Sequence, residues 1–235
     1  MSPAPNLRRG ALWLLAALLP IFLSAQQPAP PAQVSPAGTP SALALAQRVD
    51  HHYDSLHALK AKFTESYAGL GMNRTESGTL LLEKPGRMRW DYDSPPGKVF
   101  LLDGKFGWFY TPGAPQVQRV AAKELDDLRS PLRFLLGHTD LEKELSGLAV
   151  TADASGNGNL VLTGQPKGQK NRVSRVTLTV EPATGAIDDL EIDETDGAIT
   201  RFAFIGQQPN AALPADSFRF APPQGVPVVD APPPV

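Results

Sequence analysis

The chain contains no cysteine. That absence excludes a disulfide framework, a thiolate-held zinc or iron–sulfur centre, a thiol nucleophile, and a lipid anchor on an N-terminal cysteine. A basic surplus is also missing: 22 Lys and Arg stand against 24 Asp and Glu, a net charge of −2. Nothing is left over to neutralise phosphates, so nucleic-acid binding is not expected. Histidine is scarce. His51, His52, His57 and His138 offer no i, i+4 pair and no HExxH, and no serine lies in a GxSxG elbow. The acidic run Asp188–Glu194 lacks the glycine that a calcium loop needs at its sixth position. Its alternation reads instead as a strand, with Leu190 and Ile192 inward and Asp189, Glu191 and Asp193 outward. No catalytic set, metal or cofactor is expected.

Proline is abundant but unevenly spread. Of the 24, three lie in residues 1–25, five between Pro28 and Pro40, and six between Pro222 and Pro234. The remaining body of the chain is ordinary, and the excess marks tethers. Residues 1–25 read as a secretory signal: Arg8 and Arg9 precede an apolar run of about 13 residues, short for a membrane span, and Ser24-Ala25 supplies small residues for cleavage. Secretion is expected, the alternative being an uncleaved membrane anchor. Residues 26–40 read as an extended Pro/Ala-rich linker, 41–221 as one domain, and 222–235 as a mobile Pro-rich tail.

Within the domain, Ser41 is placed to cap a helix whose apolar positions Ala42, Leu45, Ala46, Val49, Tyr53, Leu56 and Leu59 recur every three or four residues. Beyond Ala61 the pattern is short strands and turns. Arg87-Met88-Arg89-Trp90-Asp91-Tyr92 alternates without a fault, and Asp103-Gly104 marks a hairpin. Between Ala121 and Leu145 the spacing becomes helical. Leu125 with Leu128, and Leu132 with Leu135 and Leu136, form small apolar clusters broken by Ser130-Pro131 and Gly137. Strands then resume, ending in a short one at Phe218–Phe220. The whole predicts an α+β, mainly β chain: one curved antiparallel sheet of ten or eleven strands with helices on one face.

The conspicuous residues are apolar. Met88, Trp90 and Tyr92 share one face of a strand, and Phe106, Trp108 and Tyr110 share one face of another. Two readings fit: a rigid core between sheet and helices, or a hydrophobic cavity under a movable cover.

The block Leu82-Glu83-Lys84-Pro85-Gly86-Arg87-Met88-Arg89-Trp90-Asp91-Tyr92 resembles the "xKPxxxRWxY" block of the LolA family of periplasmic lipoprotein carriers. Leu101-Leu102-Asp103-Gly104-Lys105-Phe106-Gly107-Trp108-Phe109-Tyr110 is similar to that family's "SDGKTLWFY". Phe202, Phe204, Leu213-Pro214, Phe218-Arg219-Phe220 and Pro222-Pro223-Gln224-Gly225-Val226 follow its closing pattern. The resemblance runs from about Leu43 to Val229. It implies an unclosed antiparallel half-barrel of about eleven strands, with short helices forming a lid over a hydrophobic cavity. It also implies a monomeric, non-enzymatic carrier of acylated lipoproteins, loaded by an inner-membrane ABC transporter and unloaded by an outer-membrane acceptor. The alternative on the same fold is a periplasmic lipid- or lipoprotein-sensing regulator of envelope stress. The expected cavity residues are Met88, Trp90, Tyr92, Leu102, Phe106, Trp108 and Tyr110. The expected lid residues are Leu125, Leu128, Leu132, Leu135 and Leu136, moving together with the first helix. The family commonly has arginine where this chain has Lys84, and the resemblance implies that Lys84 latches the lid.

Overall fold

A computed structural model describes residues 39–125, 140–168 and 172–231. The signal segment and the linker up to residue 38 lie outside these, as do Leu128, Leu132, Leu135 and Leu136.

Ser41 caps helix α1 (Ala42–Ser55), its hydroxyl accepting from the Ala44 amide at 3.1 Å. Leu45, Ala46, Val49 and Tyr53 form its buried stripe. Leu56 and Leu59 do not continue it. The backbone turns extended at Leu56, and Leu59 instead begins the inward series Leu59, Ala61, Phe63 on the first strand.

The strands are β1 (Ala58–Gly69), β2 (Met72–Glu83), β3 (Arg87–Ser94), β4 (Val99–Asp103), β5 (Phe106–Tyr110) and β6 (Val117–Ala121). Two single-turn helices follow, α2 (Ala122–Leu125) and α3 (Leu141–Glu144), the latter capped by Asp140. Then come β7 (Leu145–Ala152), β8 (Leu160–Pro166), β9 (Val173–Val180), β10 (Ile187–Glu194), β11 (Ile199–Pro209) and β12 (Val228–Asp230). They form one open twelve-stranded sheet in the order β12-β6-β5-β4-β3-β2-β1-β11-β10-β9-β8-β7. Every pairing is antiparallel except β12 with β6.

The unclosed, mainly β architecture is the one expected. Two details at the C-terminal end differ. Phe218–Phe220 alternates like a strand but lies in a turn and the coil after it. Conversely, the described residues after Pro222, as far as Ala231, are not a free tail. Val117 donates to the Pro227 oxygen and Ala231 to the Arg119 oxygen, both at 2.9 Å, and Arg119 pairs with Asp230 at 2.7 Å. The edge of β6 has unpaired backbone groups, and three non-proline residues suffice to cover them.

The main core lies on the face of the sheet that α1 covers, termed the concave side, the opposite face being the convex side. α1 lies there, joined by Leu80, Leu82, Met88, Trp90, Phe202, Phe204 and the inward residues of β8–β10. On β10, Leu190 and Ile192 are buried. Asp189 pairs with Arg201 at 2.9 Å and Asp193 with Arg175 at 2.7 Å, the solvated face read from the alternation.

Candidate functional site

Residues directly opposite one another on neighbouring strands share a face. Met88 faces Leu102, and Trp90 faces both Leu80 and Phe100. Leu102 in turn faces Gly107, and Phe100 faces Phe109. The concave row across β3–β5 is therefore Met88, Trp90 and Tyr92, then Phe100 and Leu102, then Gly107 and Phe109. The other row is Arg89, Leu101, Trp108 and Arg119.

This splits the expected cavity set. Met88, Trp90, Tyr92 and Leu102 lie on the concave side together. Phe106, Trp108 and Tyr110 lie on the convex side. Phe100 and Phe109, which sequence reading left out, share the face of Met88 and Trp90. The signal was available in the hairpin. With Leu102 opposite Gly107, Asp103–Phe106 is the turn, and a residue one step beyond Gly107 must point the other way.

The convex row has its own cover. Trp108 stacks on Phe220 with centroids 5.4 Å apart, Arg87 lies over the Phe218 ring, and Arg89 donates to the Ser217 and Arg219 carbonyls at 3.0 and 3.2 Å. Leu101 and Val117, on the same face, are wholly buried. Trp108 is pinned by its indole nitrogen, which donates to Asp103 Oδ2 at 2.8 Å. Burial opposes ionisation of Asp103, but donation from Phe106, Trp108 and Lys105 outweighs it and holds the carboxyl below its usual range.

The concave side has three zones. At its centre Trp90 is 1% exposed, edge-on to Phe63 at 4.5 Å and to Phe202 at 5.5 Å. Towards β5 the apolar surface is only half-buried: Tyr92, Phe100, Leu102 and Phe109 are all partly exposed, with Phe100 stacked on Phe109 at 4.8 Å. Leu125 of α2 touches Gly107 there, where a side chain would collide with it. At one end the face turns polar. Glu65 and Glu76 stand directly opposite on β1 and β2. Lys98 pairs with Glu76 at 2.5 Å, Arg74 reaches both carboxylates, and the Tyr92 hydroxyl donates to Glu65 at 3.0 Å. Burial, then Glu65, raises the Tyr92 phenol well above its usual range, so it stays a donor.

Lys84 opens the turn into β3. Its ammonium donates to the main-chain oxygens of Tyr53 at 2.7 Å and Asp54 at 3.0 Å, capping the last turn of α1. α1 is further bolted down on the β9–β10 turn. The Tyr53 hydroxyl accepts from the Ile187 amide at 3.1 Å, Arg48 donates to the Pro182 carbonyl, and Gly185 packs against the Arg48 backbone so closely that no side chain would fit. These contacts tie α1, expected to move with the cover, to the β2–β3 and β9–β10 turns.

The profile of the family described as Outer membrane lipoprotein carrier protein LolA matches residues 54–221. An outer-membrane lipoprotein carrier protein of Chromobacterium violaceum is 32% identical over 172 residues, covering 73% of this chain and 80% of that one. That of Nitrosospira multiformis is 34% identical over 161 residues, covering 66% and 73%. Among solved structures, an uncharacterized conserved protein from Thermus thermophilus superposes with a TM-score of 0.51 at 12% identity, covering 80% of this chain and 97% of that one. It shares the fold.

Proposed function

The chain belongs to the LolA family of outer membrane lipoprotein carrier proteins, and we propose that it is a periplasmic, non-enzymatic carrier that shields lipoprotein acyl chains on its concave face. The observation that carries this reading is the half-buried apolar strip of Tyr92, Phe100, Leu102 and Phe109 beside the aromatic core around Trp90. A rigid core alone would leave no such strip, whereas a site that fills and empties requires one.

Each acyl CH₂ withdrawn from water is worth about 0.8 kcal/mol. A chain of about fifteen carbons thus costs on the order of 10 kcal/mol to hold in water, and diffusion without a carrier is excluded. Aromatic walls suit this cargo because they demand no polar match from a flexible chain. Loading is from an inner-membrane ABC transporter. Release requires an acceptor with higher affinity, an outer-membrane receptor, because a carrier bound equally well in both states transfers nothing.

In this reading Trp90, Met88 and α1 form the permanent wall. The movable cover starts at α2 and Leu125, and Lys84 keeps α1 in register with the β2–β3 turn. Native mass spectrometry of the protein drawn from periplasm tests it. Bound diacyl or triacyl species are expected; protein that is always empty, and that fails to take up a fluorescent acyl probe, would defeat the reading.

A further inference from the structure

The Trp90 indole nitrogen is buried and has no hydrogen-bond partner among the described residues. The other described tryptophan, Trp108, has its N–H fully used by Asp103. A buried donor left unmade is costly, and native interiors rarely keep one. Around Trp90 the neighbours are the rings of Phe63, Phe202 and Phe204, within 4.5–6.3 Å, which offer at best weak π acceptors. Leu80 and Phe100, opposite it on β2 and β4, offer no side-chain acceptor at all. If this site existed only to be filled with ring, phenylalanine would supply one without the stranded donor.

We propose that the Trp90 N–H is the donor for the carbonyl oxygen that joins an acyl chain to its carrier molecule, the ester or amide of the cargo. The inference rests on the carrier reading and sharpens it. Every acyl chain brings one carbonyl into the apolar hollow, and that oxygen loses its water on entry. Pairing it with the unspent donor of this wall cancels two penalties at once: the orphan N–H of the empty protein and the desolvated carbonyl of the cargo. The tail is then recognised by area and the head of the chain by one directed bond. Free alkanes and acyl compounds of equal length would be told apart by this bond alone.

Two synthetic probes separate these contributions: a peptide bearing two palmitoyl esters on a glyceryl thioether, and the same peptide with ether-linked hexadecyl chains, which lack the carbonyls. Trp90→Phe is expected to weaken the ester peptide about tenfold more than it weakens the ether peptide, a difference equivalent to ~1.4 kcal/mol. In the native protein the Trp90 indole proton resonance is expected to move downfield with the ester peptide only, while that of Trp108 stays in place as the internal reference. The second measurement needs no variant and decides the matter if Trp90→Phe does not fold. Equal losses for both peptides, no loss for either, or an indole resonance indifferent to the carbonyl would overturn the proposal. Failure of the native protein to bind either peptide would instead overturn the carrier reading, and the proposal with it.

Discussion

The Lys84 ammonium lies 2.7 Å from the Tyr53 main-chain oxygen and so ties the β2–β3 turn to the end of α1. A cation at a helix C-terminus meets both the orphan carbonyls and the negative end of the helix dipole. Lys84→Leu is expected to lower unfolding stability by about 1–2 kcal/mol and, by loosening the α1 wall, to weaken binding of an acyl probe. Lys84→Arg should restore both. Wild-type stability and probe binding by Lys84→Leu would reduce the residue to a turn position.

Phe109 and its neighbour Trp108 point to opposite sides of β5, so their substitutions should separate binding from stability. Phe109→Ser is expected to weaken a fluorescent acyl probe about tenfold with a small change in melting temperature. Trp108→Ala loses the Phe220 stack and the Asp103 bond, and should cost about 2–4 kcal/mol with unchanged probe affinity. The reverse pattern would place the binding face on the convex side.

Glu76 is the one buried charged residue among those described, and Lys98 is its nearest cation. Lys98→Met should destabilise by about 2–4 kcal/mol, because it leaves a buried carboxylate facing Glu65 with Arg74 alone to balance both. Adding Glu76→Met should recover most of the loss. Urea titration of the three variants measures this, and additive losses would show that the pair acts through something else.

His52 has its Nε2 buried without a partner, and burial lowers its pKa from the ordinary 6.5. The unfolded chain therefore takes up the proton more readily than the folded one. Stability is complete above about pH 6.5 and declines as the pH falls through the folded value. His52→Gln should flatten that decline below about pH 6.5 in denaturant midpoints. A native protein equally stable above and below that pH would contradict the assignment.

Much of the fold was legible because one face of most elements is wet. α1 announced itself by Ser41 and the Leu45, Ala46, Val49, Tyr53 stripe, and β3 by its flawless Arg/Met/Arg/Trp alternation. The site was half-legible for the same reason. On β4 and β5, Val99–Leu102 and Phe106–Tyr110 show no polar side, because the strap lies on one face and the core on the other, so periodicity could not say which aromatic looked inward. Only the pairing across Gly104-Lys105 decides it. β12 carried no signal at all: three residues set among prolines become a strand only because β6 supplies a partner. The stranded Trp90 N–H is equally invisible in sequence, since it is a property of what surrounds the ring.

The strap from Ser217 to Asp230 has a mechanical meaning. Strands β3–β6 are clad from outside by the chain's own C-terminal segment, which is fastened at Arg89, Trp108 and Arg119. An open sheet has no closing hydrogen bonds to hold its shape, and an outer brace can supply that support. Under the proposed carrier reading, the brace would keep these strands in place whether or not the opposite face holds cargo.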